Sequence, residues 1–217
     1  MTEEVLSHAR CKTLDLAKLY AAELQMEPFE YLLVEDVLQD DCKEGIVRDF
    51  PPIQSKGSFP LARVTYGQHF KQLTDEMLGP EFRDAVASKF SLDLSNYPTM
   101  ITVRGWSASS DGQLHTDSKD KVITVLLYLN PTWEASGGRL RLLRSKNVQD
   151  YAAEVPPTMG SLVIFKRSDR SWHGFTPFEG RRMSLQLNWV KNASYLRKEG
   201  FRHHVSSVFK GLVGRKN

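Results

Sequence analysis

Long apolar runs are absent from this sequence. No stretch approaches the ~20 residues that a membrane-spanning helix needs, so no transmembrane segment is expected. The opening Met1-Thr2-Glu3-Glu4 is acidic and no apolar core follows it, which argues against a secretory signal. Cysteine is scarce. Cys11 and Cys42 are the only two, too few for a disulfide framework or a zinc motif. A reducing cytoplasm is therefore the expected compartment. Charge of one sign is also lacking: the net charge of +3 is too small to select for a polyanion, and no nucleic-acid partner is expected. Internal repeats and low-complexity segments are missing as well, which excludes solenoid and linker architectures. What remains is an ordinary globular composition, 41% hydrophobic and 25% charged over 217 residues, enough to bury one sizeable core.

The apolar pattern divides the chain. In the first part it has a helical period. Leu16, Leu19, Tyr20 and Leu24 share a face of a helix around residues 13–25, closed by Pro28. Tyr31-Leu32-Leu33-Val34 reads as a short buried strand. Asp40 and Asp41 open a helix running to Phe50, stopped by Pro51-Pro52. Phe82, Val86 and Phe90 form a stripe on a helix that starts at Pro80. From Thr99 the pattern becomes that of strands, at residues 100–103, 122–129, 139–143, 161–165 and 183–189, separated by Asn130-Pro131, Gly137-Gly138, Pro156-Pro157 and Glu179-Gly180. Short strands at this spacing suit an antiparallel jelly roll, a sandwich or barrel, better than a parallel sheet. The expected fold is mainly β within an α+β class. A single domain is expected, with 1–98 as helical support, 99–190 as the jelly-roll core and 191–217 as a basic, helical tail. In that tail Val205, Val208, Phe209 and Leu212 could form a stripe that packs on the core, or binds a partner or membrane surface. His203 and His204 diverge on a helix and have no third ligand nearby.

Two signals carry chemistry. In His115-Thr116-Asp117 the imidazole and carboxylate are two residues apart and face one side of an extended segment. His173, far downstream, could add a third ligand. Two histidines and one carboxylate on one face of an ion leave the other positions open, the usual arrangement for non-haem Fe(II). Alone, His-x-Asp occurs often by chance, and a solitary histidine is more often structural. The second signal is Arg182, at the start of an apolar strand beyond a turn at Phe178-Glu179-Gly180. Met183, Leu185 and Leu187 make one face of that strand, and Arg182, Ser184 and Gln186 make the other. A buried guanidinium needs an anion and fits a carboxylate bidentately. It could pair with a protein carboxylate, or lie exposed like its neighbour Arg181.

The ordered set His115-x-Asp117…His173…Arg182-x-Ser184 resembles the 2-oxoglutarate/Fe(II)-dependent oxygenase superfamily, and more closely its prolyl 4-hydroxylase-like branch. The likeness spans about residues 104–190. It includes the strand ending Tyr128-Leu129-Asn130, then Trp133-Glu134, then Gly137-Gly138-Arg139-Leu140, and the apolar strand Gly160-Ser161-Leu162-Val163-Ile164-Phe165. The stretch from Pro28-Phe29 to Pro52 looks like the lead-in of small bacterial members.

The resemblance implies a double-stranded β-helix and a set of roles. His115, Asp117 and His173 would bind Fe(II). Arg182 would hold the distal carboxylate of 2-oxoglutarate, with Tyr128 as hydroxyl partner; Thr124 and Leu140 would line the co-substrate pocket and Ser184 would add a hydroxyl. The implied reaction turns 2-oxoglutarate and O₂ into succinate and CO₂ while hydroxylating a prolyl residue, a free amino acid or another small metabolite. The fold alone does not select among these substrates. Two other readings are a cupin-type metal enzyme that does not use 2-oxoglutarate, and a non-catalytic jelly-roll binding module. Near the site, the 107–113 loop reads as a substrate lid or a plain polar turn. Trp172 could shield the metal or pack in the core, and Trp133 could be a substrate platform.

Overall fold

The computed structural model describes residues 12–195. Four helices come first, at Leu16–Ala21 (α1), Asp40–Arg48 (α2), Gln68–Leu78 (α3) and Pro80–Phe90 (α4). Two short strands are interleaved with them, Tyr31–Val34 (β1) and Phe59–Pro60 (β2). Seven strands follow: Thr99–Ser107 (β3), Lys121–Tyr128 (β4), Leu140–Leu143 (β5), Tyr151–Val155 (β6), Leu162–Lys166 (β7), His173–Phe175 (β8) and Gly180–Val190 (β9). Among the described residues, no helix is long and apolar enough to cross a membrane.

The helix starts follow local chemistry. The Asp15 carboxylate accepts from the Ala17 N–H and caps α1. This helix is shorter than its apolar spacing suggests. The Glu76 carboxylate accepts the backbone N–H groups of Thr13 and Leu14 and holds them outside the helix, while Ala22 is already extended. Tyr20 is correspondingly exposed rather than part of a buried stripe. α2 begins on Asp40 and Asp41 and ends on Arg48, complementing the helix dipole at both ends. Pro80 occupies the first turn of α4, as expected, and Phe82, Val86 and Phe90 are all buried.

The strands form two antiparallel sheets. One has six strands in the order β1-β7-β4-β9-β3-β2, and the other has three in the order β6-β5-β8. Alternation along β4 and β9 assigns the two faces of the large sheet. Val125, Leu127, Met183, Leu185 and Leu187 join Leu19, Phe70, Leu73, Met77, Phe82 and Val86 in the core beneath the helices. Thr124, Leu126, Tyr128, Arg182, Ser184 and Gln186 face the opposite way and line a cavity shared with the small sheet. Tyr128 pairs with Ser184, and Leu126 with Gln186. This face alternation agrees with the sequence pattern, and Arg181 accordingly lies exposed. The tail beyond residue 195, and the expectations attached to it, lie outside the described residues.

Trp189 ties the sheet to the helices. It is 2% exposed and its indole stacks on Phe82 with centroids 6.4 Å apart. Trp189→Ala should destabilise the fold by about 3–5 kcal/mol, the range for removing a large buried aromatic. Urea unfolding measures this; a loss under ~1 kcal/mol would show that the contact is peripheral.

Candidate active site

Three side chains with metal-binding atoms meet where β8 of the small sheet approaches the segment linking β3 to β4. That segment pairs with β8 through two reciprocal bonds, from the His115 N–H to the His173 carbonyl (3.1 Å) and from the His173 N–H to the His115 carbonyl (3.0 Å). The close approach depends on Gly112. Its φ is +88°, and a Cβ there would lie 2.5 Å from the Phe175 ring. The pairing leaves the two imidazoles with centroids 4.4 Å apart. Asp117 completes the set, with ligand atoms of all three within 4.8 Å of one another.

Both imidazoles are oriented through Nδ1. His115 Nδ1 lies 2.8 Å from the Gln113 carbonyl and His173 Nδ1 lies 2.9 Å from the Ser171 carbonyl. A carbonyl can only accept, so each Nδ1 carries the proton and each Nε2 offers its lone pair. His173 and Asp117 are buried, whereas His115 is exposed, so the set opens on the His115 side.

The Asp117 carboxylate is held at both oxygens. Oδ1 accepts from the Lys121 ammonium at 2.7 Å, and Oδ2 accepts from the Thr124 hydroxyl at 2.6 Å. Burial pushes this carboxyl up, but the charges of Lys121 and His173 and the two hydrogen bonds outweigh burial and hold it at about 2. Burial acts on His173 in the opposite sense. It drives the imidazole down to about 4 despite the nearby Asp117, with His115 adding to the decrease. An ionised carboxylate and a neutral imidazole are the protonation states a divalent cation requires.

Arg182 lies across the same cavity and is 4% exposed. Its Nε donates to the Gly138 carbonyl (2.9 Å), its Nη2 donates to the Tyr128 hydroxyl (3.2 Å), and its guanidinium lies 4.1 Å from the Phe175 ring centroid. Among the described residues it makes no ion pair within 4.0 Å, and burial pushes its pKa down. Gly138, at φ +75°, presents that carbonyl because a Cβ there would be 2.7 Å from the Trp133 ring. Asn130 fixes the neighbouring strand. Its Oδ1 accepts from the Met183 N–H (2.8 Å) and its Nδ2 donates to the Pro157 carbonyl (2.6 Å).

The cavity between the metal ligands and Arg182 measures about 360 Å³. Thr124, Leu140 and Ser184 all line it, as does the 110–113 part of the loop before His115. Thr124 serves more directly than expected, because its hydroxyl goes to the Asp117 carboxylate. Trp133 lies outside the cavity: it packs on Phe178 with centroids 4.5 Å apart and donates to the Gly137 carbonyl. Trp172 lines a separate surface cleft, with the Lys146 ammonium 4.8 Å above its ring. Several cavity residues were given no role from the sequence, Phe175 and Lys121 among them. Phe175, two residues beyond His173, shares its face on β8, a spacing that could have identified it. Lys121 gave no such signal, because a bulge in the β4–β9 pairing between Lys121 and Ile123 brings it onto the Thr124 face.

Residues 103–190 match the family model described as the 2OG-Fe(II) oxygenase superfamily. Through this segment the chain is similar to that superfamily. Its fold is similar to that of a Pseudomonas putida prolyl-4-hydroxylase, with a TM-score of 0.59 and 18% identity over 86% of this chain and 97% of the other. A prolyl 4-hydroxylase from Phytophthora capsici gives a TM-score of 0.58 and 18% identity, covering 91% of this chain and 77% of its own. An oxidoreductase of the 2OG-Fe(II) oxygenase family from Burkholderia pseudomallei gives 0.54 and 11%, covering 84% and 93%. No curated protein sequence matches the chain. These likenesses identify the two sheets as a double-stranded β-helix. The superfamily uses Fe(II), 2-oxoglutarate and O₂, and the His–Asp–His set has the donor types and proximity for the iron.

In the metal-free protein, His173 should stay neutral through pH 6 and gain its proton only near pH 4. An unfolded histidine protonates near ~6.5, so the unfolded chain takes up this proton first. Stability should therefore fall as pH drops from about 6.5 to 4. Nitrogen-resolved NMR of the imidazole measures the midpoint; a value near 6.5 would contradict the assignment of burial as the dominant cause.

Proposed function

We propose that this oxygenase hydroxylates an organic substrate, converting 2-oxoglutarate and O₂ to succinate and CO₂ with Fe(II) at the His–Asp–His set. The observation that carries the reading is the pairing of that set with Arg182 across one cavity, since Arg182 is a buried guanidinium with no ion-pair partner within 4.0 Å among the described residues. A cupin-type metal enzyme without 2-oxoglutarate would leave that cation uncompensated. A non-catalytic binding module would need neither the cation nor the metal ligands.

In this reading His115, Asp117 and His173 hold the iron through their free nitrogen and oxygen lone pairs. Arg182 and Tyr128 bind the distal carboxylate of 2-oxoglutarate. Thr124 orients Asp117, Ser184 adds a hydroxyl at the co-substrate's side, and Leu140 with Leu126 and Phe175 limits the access of water. Bound iron supplies the activation of O₂ that couples decarboxylation of the keto acid to oxidation of a C–H bond. The protein contributes position, protonation state and a shaped cavity. The substrates considered are a prolyl residue, a free amino acid and another small metabolite. We further read the chain as one oxygenase unit, with residues 1–98 as support, 99–190 as catalytic core and 191–217 as a tail. The shared core between the helices and β3, β4 and β9 supports this reading. A reducing cytoplasm suits an enzyme dependent on ferrous iron.

The test is stoichiometric succinate formation from 2-oxoglutarate in the presence of Fe(II) and O₂, at a basal rate without substrate and a higher one with it. His115→Ala, Asp117→Ala and His173→Ala should each abolish it while leaving the fold intact, because three ligands leave no spare. Near-normal turnover in any of them removes that residue from the iron site, and no succinate from the unmodified protein under any substrate rejects the function.

A further inference from the structure

Lys121 is a buried cation whose role the reaction above does not explain. It begins β4, lines the cavity and has a side chain only 9% exposed. Its ion-pair partner is Asp117. The other cavity cations are provided for differently: Arg104 pairs with Asp111, and Arg182 faces the co-substrate's distal carboxylate in the reading above. Lys121 alone shares its counter-ion with the metal. Once a divalent cation takes the Asp117 carboxylate, two positive centres compete for one negative charge, and a buried ammonium left without an anion is unfavourable.

Charge balance in the cavity points the same way. Its lining carries three cations, Arg104, Lys121 and Arg182, and two carboxylates, Asp111 and Asp117. A divalent metal and doubly charged 2-oxoglutarate cancel each other, so the loaded cavity retains one positive charge. Lys121 is also remote from the distal carboxylate's partners. Its ammonium lies on Asp117 at the metal side, whereas Arg182 is held at the other end by the Gly138 carbonyl and the Tyr128 hydroxyl. The metal-side carboxylate of the co-substrate would be neutralised by the metal itself.

We propose that the primary substrate is a small free carboxylic acid, and that Lys121 binds its carboxylate beside the metal. This inference rests on the proposed oxygenase function and narrows its substrate class. Cavity size supports a small molecule. About 360 Å³ is near the lower end of the ~300–1,000 Å³ typical of ligand clefts, and two molecules must share it. Most of the residues that line it are polar, with Ser58, Thr102, Ser110, Gln113 and Gln186 around the cations, which suits a hydrophilic acid.

The test uses the full-length protein loaded with Mn(II), which accepts the same ligand types, and saturated with 2-oxoglutarate. Calorimetry then compares free L-amino acids and short hydroxy acids with their primary amides. At least one acid should bind saturably and its amide should bind much more weakly. Lys121→Met should weaken that acid by roughly 30-fold or more, the loss expected for a buried charge pair. Lys121→Arg should retain most of the binding. Metal affinity of Lys121→Met is measured alongside, and acid binding is compared at saturating Mn(II), which separates the loss of a substrate partner from a change in how Asp117 holds the metal. The proposal is overturned if no acid binds, if amides bind as well as acids, or if Lys121→Met binds the acid normally. It is also overturned if that variant loses 2-oxoglutarate instead, which would assign the lysine to the co-substrate. Failure of the unmodified, metal-loaded protein to bind 2-oxoglutarate would overturn the oxygenase reading as well.

Discussion

The constraint that organises this molecule is a guanidinium buried between two sheets without an ion-paired carboxylate among the described residues. Removing such a charge from water is expensive, and a fold retains it only if something else meets the cation. The surroundings of Arg182 hold the group in place without neutralising it. The Gly138 carbonyl and the Tyr128 hydroxyl fix its orientation, and the Phe175 ring supports its face. Several otherwise unrelated features serve that arrangement. The left-handed backbone of Gly138 aims the carbonyl, and Asn130 clamps Met183, the next residue on β9. The helices bury Met183, Leu185 and Leu187 from the opposite side of the sheet.

The metal ligands obey a complementary logic. Asp117 and His173 are both buried, yet the same burial affects them oppositely. The carboxylate stays ionised because Lys121 and Thr124 compensate it, while the imidazole stays neutral because burial outweighs the pull of Asp117 and of the Ser171 carbonyl. Each group thus reaches the state a metal needs by a different route. The segment between β3 and β4 must meet β8 for this to happen, and the reciprocal backbone pairing of His115 with His173 makes the meeting. The site is therefore a product of the sheet-to-sheet closure and not of either sheet alone.

Much of this was legible in the sequence where a period was long enough to read. The strands of the large sheet at 99–107, 121–128, 162–166 and 180–190 each carry five or more residues, and their alternation fixed which face Arg182 occupies. β8 has three residues, too few for any period, and β6 reads Tyr-Ala-Ala-Glu-Val, which has little apolar contrast. α3 was overlooked although Phe70, Leu73 and Met77 have helical spacing and are all buried, because its first turn is polar and no capping side chain marks its start. At the site, the residues whose spacing follows strand geometry were recovered. Lys121 was not, since its orientation depends on a bulge, and the exclusion of Trp133 from the cavity depends on Phe178 packing against it.

The central claim is that Arg182 is built for the distal carboxylate of 2-oxoglutarate. The most direct measurement compares binding of 2-oxoglutarate with 2-oxovalerate, a keto acid of the same chain length with a methyl group in place of that carboxylate. Calorimetry on the Mn(II)-loaded protein should show 2-oxoglutarate binding roughly 30-fold or more tightly, with the difference largely lost in Arg182→Ala and retained in Arg181→Ala. Equal affinity for the two acids in the unmodified protein, or a preference that survives removal of Arg182, would contradict the account.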